Sequence, residues 1–127
     1  MSIEVNVLDS GEGIEILATG IVHGREIIQA HQEIYDEKHL KNQKYHIIDK
    51  SKCTEYDVTA KDIEIIAELD EKASAINPNI IIAVIESESL QFSLTNVWQA
   101  YVKEYVFKTR AFASRDLAID WITENKS

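Results

Sequence analysis

The stretch Ile80-Ile81-Ile82-Ala83-Val84-Ile85 decides the fold class of this chain. All six residues are apolar and nearly all are β-branched, which is typical of a strand that is covered on both faces. Such strands belong to parallel sheets, because their crossover connections place helices on the faces of the sheet. Asn77-Pro78 precedes the run and ends any helix before it, since proline cannot continue the hydrogen-bond ladder.

The segments on either side of this strand alternate between strand and helix periodicity. Before the strand, the sequence predicts a hairpin of strands 3–8 and 13–19, a turn at 20–24, a helix from about Arg25 to about His39, a strand at 45–49, a polar loop at 51–57 and a helix from Thr59 to Ile76. After it, the sequence predicts a helix over 90–105, a strand over 107–112 and a last helix capped by Ser114. The order ββαβαβαβα predicts one α/β domain over residues 1–127, with a five-stranded, mostly parallel sheet, an antiparallel N-terminal hairpin and four helices.

Composition and charge limit the classes of function. The chain has 127 residues, 45% of them hydrophobic, a net charge of −9 and a single cysteine. A surface this acidic repels phosphate backbones and anionic lipids, so we expect no nucleic-acid partner. The apolar runs are too short for a membrane span, and no disulfide can form within the chain. Because the N-terminus lacks a basic region and a hydrophobic signal core, we expect a cytoplasmic protein.

The usual signatures of catalysis and metal binding do not emerge from the sequence. No glycine-rich phosphate loop is present. His31 and His39 lie more than two turns apart on the predicted first helix, too far to chelate one ion without a third element. Strand alternation places His46 and Asp49 on opposite sides, which argues against a site with Cys53. We therefore expect no metal, no cofactor and no enzymatic activity.

Two features are open to a structural or a functional interpretation. Seven carboxylates and two lysines lie between Glu55 and Lys72, which gives either a solvated helix face or an acidic docking surface for a basic partner. The aromatic residues Trp98, Tyr101 and Tyr105 recur at helical spacing, which indicates either core packing or the rim of a ligand cleft.

The chain resembles the SpoIIAA-like fold, which includes the STAS domains of anti-anti-sigma factors. The resemblance lies in the hairpin, the following helix, a strand ending in Ile47-Ile48-Asp49 and a loop to a Thr-capped helix. The ending Arg110-Ala111-Phe112 with Ala118-Ile119-Asp120-Trp121-Ile122 is also similar to the ending of small stand-alone bacterial SpoIIAA-like proteins. The resemblance implies a cytoplasmic regulatory or protein-binding module that is not an enzyme.

The same resemblance implies a switch site at the start of the second long helix. In anti-anti-sigma proteins this site carries an Asp-Ser-Ser-Gly-type motif whose serine is phosphorylated by a partner kinase. Here Asp57 matches the acidic residue and Thr59 stands for the serine, whereas Val58 and Ala60 differ from the motif. The candidate partner-facing residues are therefore Asp49, Asp57 and Thr59.

Thr59 also has a purely structural interpretation as a helix N-cap. Its hydroxyl can accept a hydrogen bond in the first helical turn, and Asp62 can return one in a capping box.

Three further expectations concern partners. A regulatory protein partner follows from the resemblance. A homodimer would cover an open sheet face or the edge strand 3–8, which Glu4 guards. The alternative function is a carrier or sensor of a small, partly apolar ligand, with Trp98, Tyr101 and Tyr105 as candidate cleft residues.

Overall fold

The computed structural model of the protein describes residues 2–86 and 107–127. The strands are β1 (Ile3–Leu8), β2 (Gly13–His23), β3 (Tyr45–Asp57), β4 (Ile81–Ile85) and β5 (Lys108–Phe112). The helices are α1 (Gly24–Ile34), the short α2 (Glu37–Leu40), α3 (Ala60–Ile76) and α4 (Arg115–Asn125), and a single 3₁₀ turn spans Asp9–Gly11. None of the helices within these residues is both long and apolar enough to cross a membrane.

The five strands form one mixed sheet in the order of the sequence. β1 and β2 are antiparallel, with Ile3 opposite Ala18 and Leu8 opposite Gly13. β3, β4 and β5 continue the sheet in parallel with β2. This arrangement confirms the predicted α/β class, the N-terminal hairpin and the five-stranded, mostly parallel sheet.

Helices cover both faces of β4, which is buried along its whole length together with Ile80. On one face, Ile81, Ala83 and Ile85 pack with residues of α4, including Trp121. On the other face, Ile82 and Val84 pack with Ala73 of α3, and with Leu40 and Phe107. The prediction of a strand covered on both sides is confirmed. Coverage of both faces also removes one of the two reasons for expecting a dimer, namely a sheet face without helices.

The predicted break at 20–24 and the predicted loop at 51–57 are both wrong. β2 continues to His23 and β3 continues to Asp57, and the two extensions pair in parallel, with His23 opposite Asp57. The register shifts near Gly20, whose φ of +65° suits glycine. One side of this extension is polar and exposed, whereas Val22 and Cys53 are buried beneath α1 and α3. Because one side of the extension is polar, its amino-acid composition resembles that of a loop.

The predicted first helix is two helices. α1 ends at Ile34, and the Asp36 side chain caps α2 by accepting a hydrogen bond from the Lys38 backbone N–H at 3.0 Å. An aspartate whose side chain bonds to the nearby backbone competes with the continuation of a helix. α3 ends before Asn77-Pro78, as predicted. The predicted helix at 90–105 lies outside the described residues.

Candidate functional site

The carboxyl ends of β2 and β3 lie side by side and lead into the two long helices α1 and α3. His23 is the last residue of β2, and its Nδ1 lies 2.9 Å from Oδ2 of Asp57, the last residue of β3. Both side chains are exposed. In open α/β sheets, ligands are bound at the carboxyl ends of parallel strands. This end of the sheet is therefore a candidate site.

Thr59 caps α3 in the capping box that the sequence predicts. Thr59 Oγ1 accepts a hydrogen bond from the Asp62 backbone N–H at 3.1 Å. The Thr59 backbone N–H donates to Asp62 Oδ2 at 3.0 Å. Two backbone donors of the first turn are thus satisfied, and the Asp62 carboxylate lies at the positive end of the helix dipole.

We expect Thr59→Ala to lower the free energy of unfolding by about 1 kcal/mol, because one helix-start N–H loses its acceptor. Thr59→Ser and Thr59→Asp should be nearly neutral, since each retains an oxygen at that place. Urea denaturation of the three variants measures this. A Thr59→Ala protein as stable as the unmodified chain would contradict the capping role.

The starts of α1 and α3 are in close contact. A Cβ atom placed on Gly24, the first residue of α1, would clash with the Asp62 side chain. Glycine therefore leaves room here for the carboxylate that completes the capping box. We call the patch formed by His23, Gly24, Asp57, Thr59 and Asp62 the helix-start surface.

Asp49 lies apart from the helix-start surface. It is eight residues before Asp57 on β3, but the paired stretch of β2, from Leu17 to His23, advances by only six residues, and at about 3.3 Å per residue this places it about 20 Å away. Its Oδ2 accepts a hydrogen bond from Arg115 Nη1 of α4 at 3.2 Å, and its Oδ1 accepts from Ser51 Oγ at 2.6 Å. Arg115 also pairs with Glu15. Of the three predicted partner-facing residues, the structure brings only Asp57 and Thr59 together.

Only some of the seven carboxylates between Glu55 and Lys72 are exposed to solvent. Glu55, Asp57, Glu64 and Glu68 are exposed. Asp70, in contrast, is completely buried and accepts a hydrogen bond of 2.5 Å from the Tyr35 hydroxyl. Burial, together with the charge and hydrogen bond of Asp70, raises the pKa of Tyr35 well above its ordinary value.

A small cavity lies between the sheet and the helices α1 and α3. Its volume is about 50 Å³, and its walls are mostly aliphatic, with polar groups from His31, Lys50 and Tyr56. Lys50 Nζ lies 4.7 Å from the centre of the Tyr56 ring, a cation–π contact. Burial raises the pKa of Tyr56, and Lys50 opposes that shift. The candidate cleft residues Trp98, Tyr101 and Tyr105 lie outside the described residues.

The side chains of Lys50 and Tyr56 point inward, toward α1 and α3, which was not predicted. The signal was present, because Lys50 continues the inward alternation of His46 and Ile48 along β3. Because residues 51–57 were predicted to be a loop, the alternation was not followed beyond residue 49.

The cysteine and the two buried histidines, His31 and His46, are held in structural roles. Cys53 is buried, and burial raises its pKa, which disfavours the nucleophilic thiolate. His31 Nδ1 donates to the Ile27 carbonyl at 2.9 Å, and His46 Nε2 lies 2.7 Å from Gln43 Oε1. Over residues 2–86 and 107–127, no cluster of three histidine, cysteine or acidic side chains has the geometry of a metal site.

Comparison with known proteins bears on the fold. No protein-family model and no curated protein matches the chain. Among solved structures, the anti-sigma factor antagonist SpoIIAA in its unphosphorylated form matches with a TM-score of 0.63 at 11% identity, over 95% of this chain and 97% of that one. An uncharacterised protein of the DUF3478 family from Shewanella loihica, described as having a SpoIIAA-like fold, matches with a TM-score of 0.61 at 17% identity, over 95% and 94% of the two chains. Such low identities establish fold and leave activity open. The chain therefore has the SpoIIAA-like fold.

Proposed function

We propose that this chain is a regulatory protein-binding module, without enzymatic activity, that contacts its partner through the helix-start surface. The observation that carries the proposal is the juxtaposition of Asp57 and Thr59 with His23 at the exposed carboxyl end of the parallel strands. Asp57 and Thr59 are also the residues that the resemblance places at a switch. Asp49 is left out of the proposed surface because it lies well before the end of β3, where it pairs with Arg115 of α4.

The chemistry of the surface defines the partner. The exposed carboxylates Glu55, Asp57, Glu64 and Glu68 extend from the helix-start surface along α3. The whole chain has a net charge of −9, which adds a long-range attraction for cations. A protein with a basic face is therefore the partner that this surface fits. The structural neighbour SpoIIAA, an antagonist of an anti-sigma factor, is itself a regulatory protein, which supports a role of this type.

A second element of the proposal is a phosphorylation switch at Thr59. A phosphate there would gain from the α3 dipole but would be repelled by Asp57, Asp62 and Glu64. Phosphorylation would therefore change the charge at the start of α3 and keep an oxygen at the capping position. Mass spectrometry of the protein purified from its native host tests this. Stoichiometric phosphate on Thr59 would support the switch. If no phosphate is found under any growth condition, Thr59 has only its role as the N-cap of α3.

Co-purification tests the binding function itself. The tagged chain is expressed in its native host, the retained proteins are identified, and each is purified and titrated by calorimetry. We expect Asp57→Lys to weaken binding at least tenfold, while the matched control Asp120→Lys, an exposed position on α4, binds normally. Equal binding by both variants would refute the assignment of the surface.

The cavity favours a second function, the carrier or sensor of a small ligand. Its aliphatic walls and the nearby Lys50 ammonium suit a short aliphatic carboxylate. Its volume of about 50 Å³ is well below the ~150 Å³ of a cavity that takes up benzene. A ligand of that size would have to displace wall residues, so this function ranks second.

Thermal shift tests the carrier function. If the chain is a carrier, a saturating short-chain carboxylate should raise the melting temperature of the unmodified chain, because a ligand that binds only the folded state stabilises it. The corresponding alcohol should act more weakly, and Lys50→Met should remove the difference between acid and alcohol. No shift with any chain length would reject the carrier function.

A further inference from the structure

Among residues 2–86 and 107–127, no strand pairs with the outer side of β1, so its outward backbone groups form a defined pattern. The Thr19 backbone N–H donates to the Ser2 carbonyl at 2.9 Å, and Ile3 stands opposite Ala18. In an antiparallel ladder, alternate residues direct their N–H and C=O groups toward the neighbouring strand. The backbone groups of Ile3, Val5 and Val7 therefore point away from β2. Val7 is also 68% exposed, which is unusual for an apolar side chain in a strand.

We propose that two copies of this chain pair antiparallel through β1, with Val5 opposite Val5 of the partner subunit. In this register Ile3 stands opposite Val7 of the partner subunit, and the converse pair forms by symmetry. All three outward-facing residues of each strand then exchange backbone hydrogen bonds. The inference is independent of the proposed function.

Side-chain chemistry selects this register over its neighbours. With Val5 at the centre, Glu4 stands opposite Asn6 of the partner subunit, so that an amide donor meets a carboxylate. Asn6 Nδ2 donates both of its hydrogens within the chain, to Glu4 at 2.9 Å and to Glu15 at 3.0 Å. In the dimer, the exposed bond to its own Glu4 is exchanged for a bond to Glu4 of the partner subunit. If the two strands shift so that their two-fold axis passes through Glu4, the two Glu4 side chains stand opposite each other and their like charges destabilise the pair. If the axis passes through Asn6 instead, Ile3 has no strand residue opposite it.

The opposite edge of the sheet lacks this complementarity. β5 exposes Lys108 and Arg110 on one side of the strand. If two copies paired antiparallel at Lys108 and Arg110, basic side chains would stand opposite each other and repel. Charged side chains of this kind commonly protect strand edges from pairing. On β1, by contrast, Ile3 and Val5 pack with the core residues beneath α1, and the exposed Val7 lies in the same row of the strand. A two-fold axis perpendicular to the sheet keeps the rows of both subunits on one side.

Paired cysteines test the register. Glu4→Cys and Asn6→Cys are made separately in a Cys53→Ser background, which removes the only native thiol. Residues opposite each other without backbone hydrogen bonds are about 4.5 Å apart at Cα, within the range of a disulfide. After mild oxidation, we expect covalent dimers when the two variants are mixed and not from either variant alone. Dimers from Glu4→Cys alone or Asn6→Cys alone would overturn the register.

Sedimentation equilibrium tests the interface without cysteines. We expect the unmodified chain to dimerise and Val7→Lys to remain monomeric at the same concentrations, because the lysines protect the edge. Leu117→Lys, with the same change of charge at an exposed position on α4, should dimerise like the unmodified chain. A monomeric unmodified chain, or equal dimerisation of Val7→Lys, would refute the proposal.

Discussion

Ile82→Asp is expected to abolish folding. Ile82 is 1% exposed at the centre of β4 and packs with Leu40, Ala73 and Phe107. A carboxylate at this place loses its water shell without gaining a partner there, and the isoleucine contacts are lost as well. The combined cost of several kcal/mol approaches the total stability of a domain, about 5–15 kcal/mol. Circular dichroism and urea denaturation should show no cooperative unfolding transition.

Ile119→Asp is the matched control for this experiment. Ile119 is 42% exposed on α4, so the same change of side chain should leave a folded protein. Ile82→Ala gives a graded version of the test, with an expected loss of about 2–5 kcal/mol. A soluble Ile82→Asp protein that unfolds cooperatively would contradict the position of β4 at the centre of the sheet.

Acid is expected to destabilise the protein through His46. Burial, with a smaller effect of the nearby His31, lowers the pKa of His46 from 6.5 to about 3. The pKa of His46 is lower in the folded chain than in the unfolded chain. Between pH 3 and pH 6.5, His46 is therefore protonated in the unfolded chain and neutral in the folded one. The contribution of neutral His46 to the free energy of unfolding is therefore complete above pH 6.5. It falls by about 1.4 kcal/mol per pH unit from there down to pH 3.

Urea denaturation between pH 6.5 and pH 5 measures the effect in a range where most carboxylates remain charged. Over this range the unmodified chain should lose about 2 kcal/mol more than His46→Gln, which does not titrate. His39→Gln, the same substitution at an exposed position, is the control. Parallel slopes for the unmodified chain and His46→Gln would contradict a buried neutral His46.

The sequence predicts the features that depend on local patterns. The apolar run at 80–85 indicates a covered strand by itself, and Thr59 and Asp62 carry the capping box within four residues. The end of α3 before Pro78 is equally local.

The features that the sequence analysis missed depend on distant partners. The segments 19–23 and 52–57 are strands only because they pair with each other, and either one alone has the composition of a loop. Asp70 has the charge of a surface residue, and its burial depends on Tyr35, which lies 35 residues earlier. Asp49 and Asp57 lie on one strand, but Asp49 lies well before its end and pairs there with Arg115, 66 residues later.

Hydrogen exchange of the chain in complex with its purified partner tests the central claim most directly. The partner is predicted to slow exchange of the backbone amides at the start of α1 and at the end of β3 and start of α3, around residues 23–26 and 57–62. Amides of α4, on the opposite face of the sheet, serve as the internal reference and should exchange at the same rate with and without partner. Protection confined to α4, or unchanged exchange at the helix-start surface in a saturated complex, would contradict the assignment of this surface as the binding site.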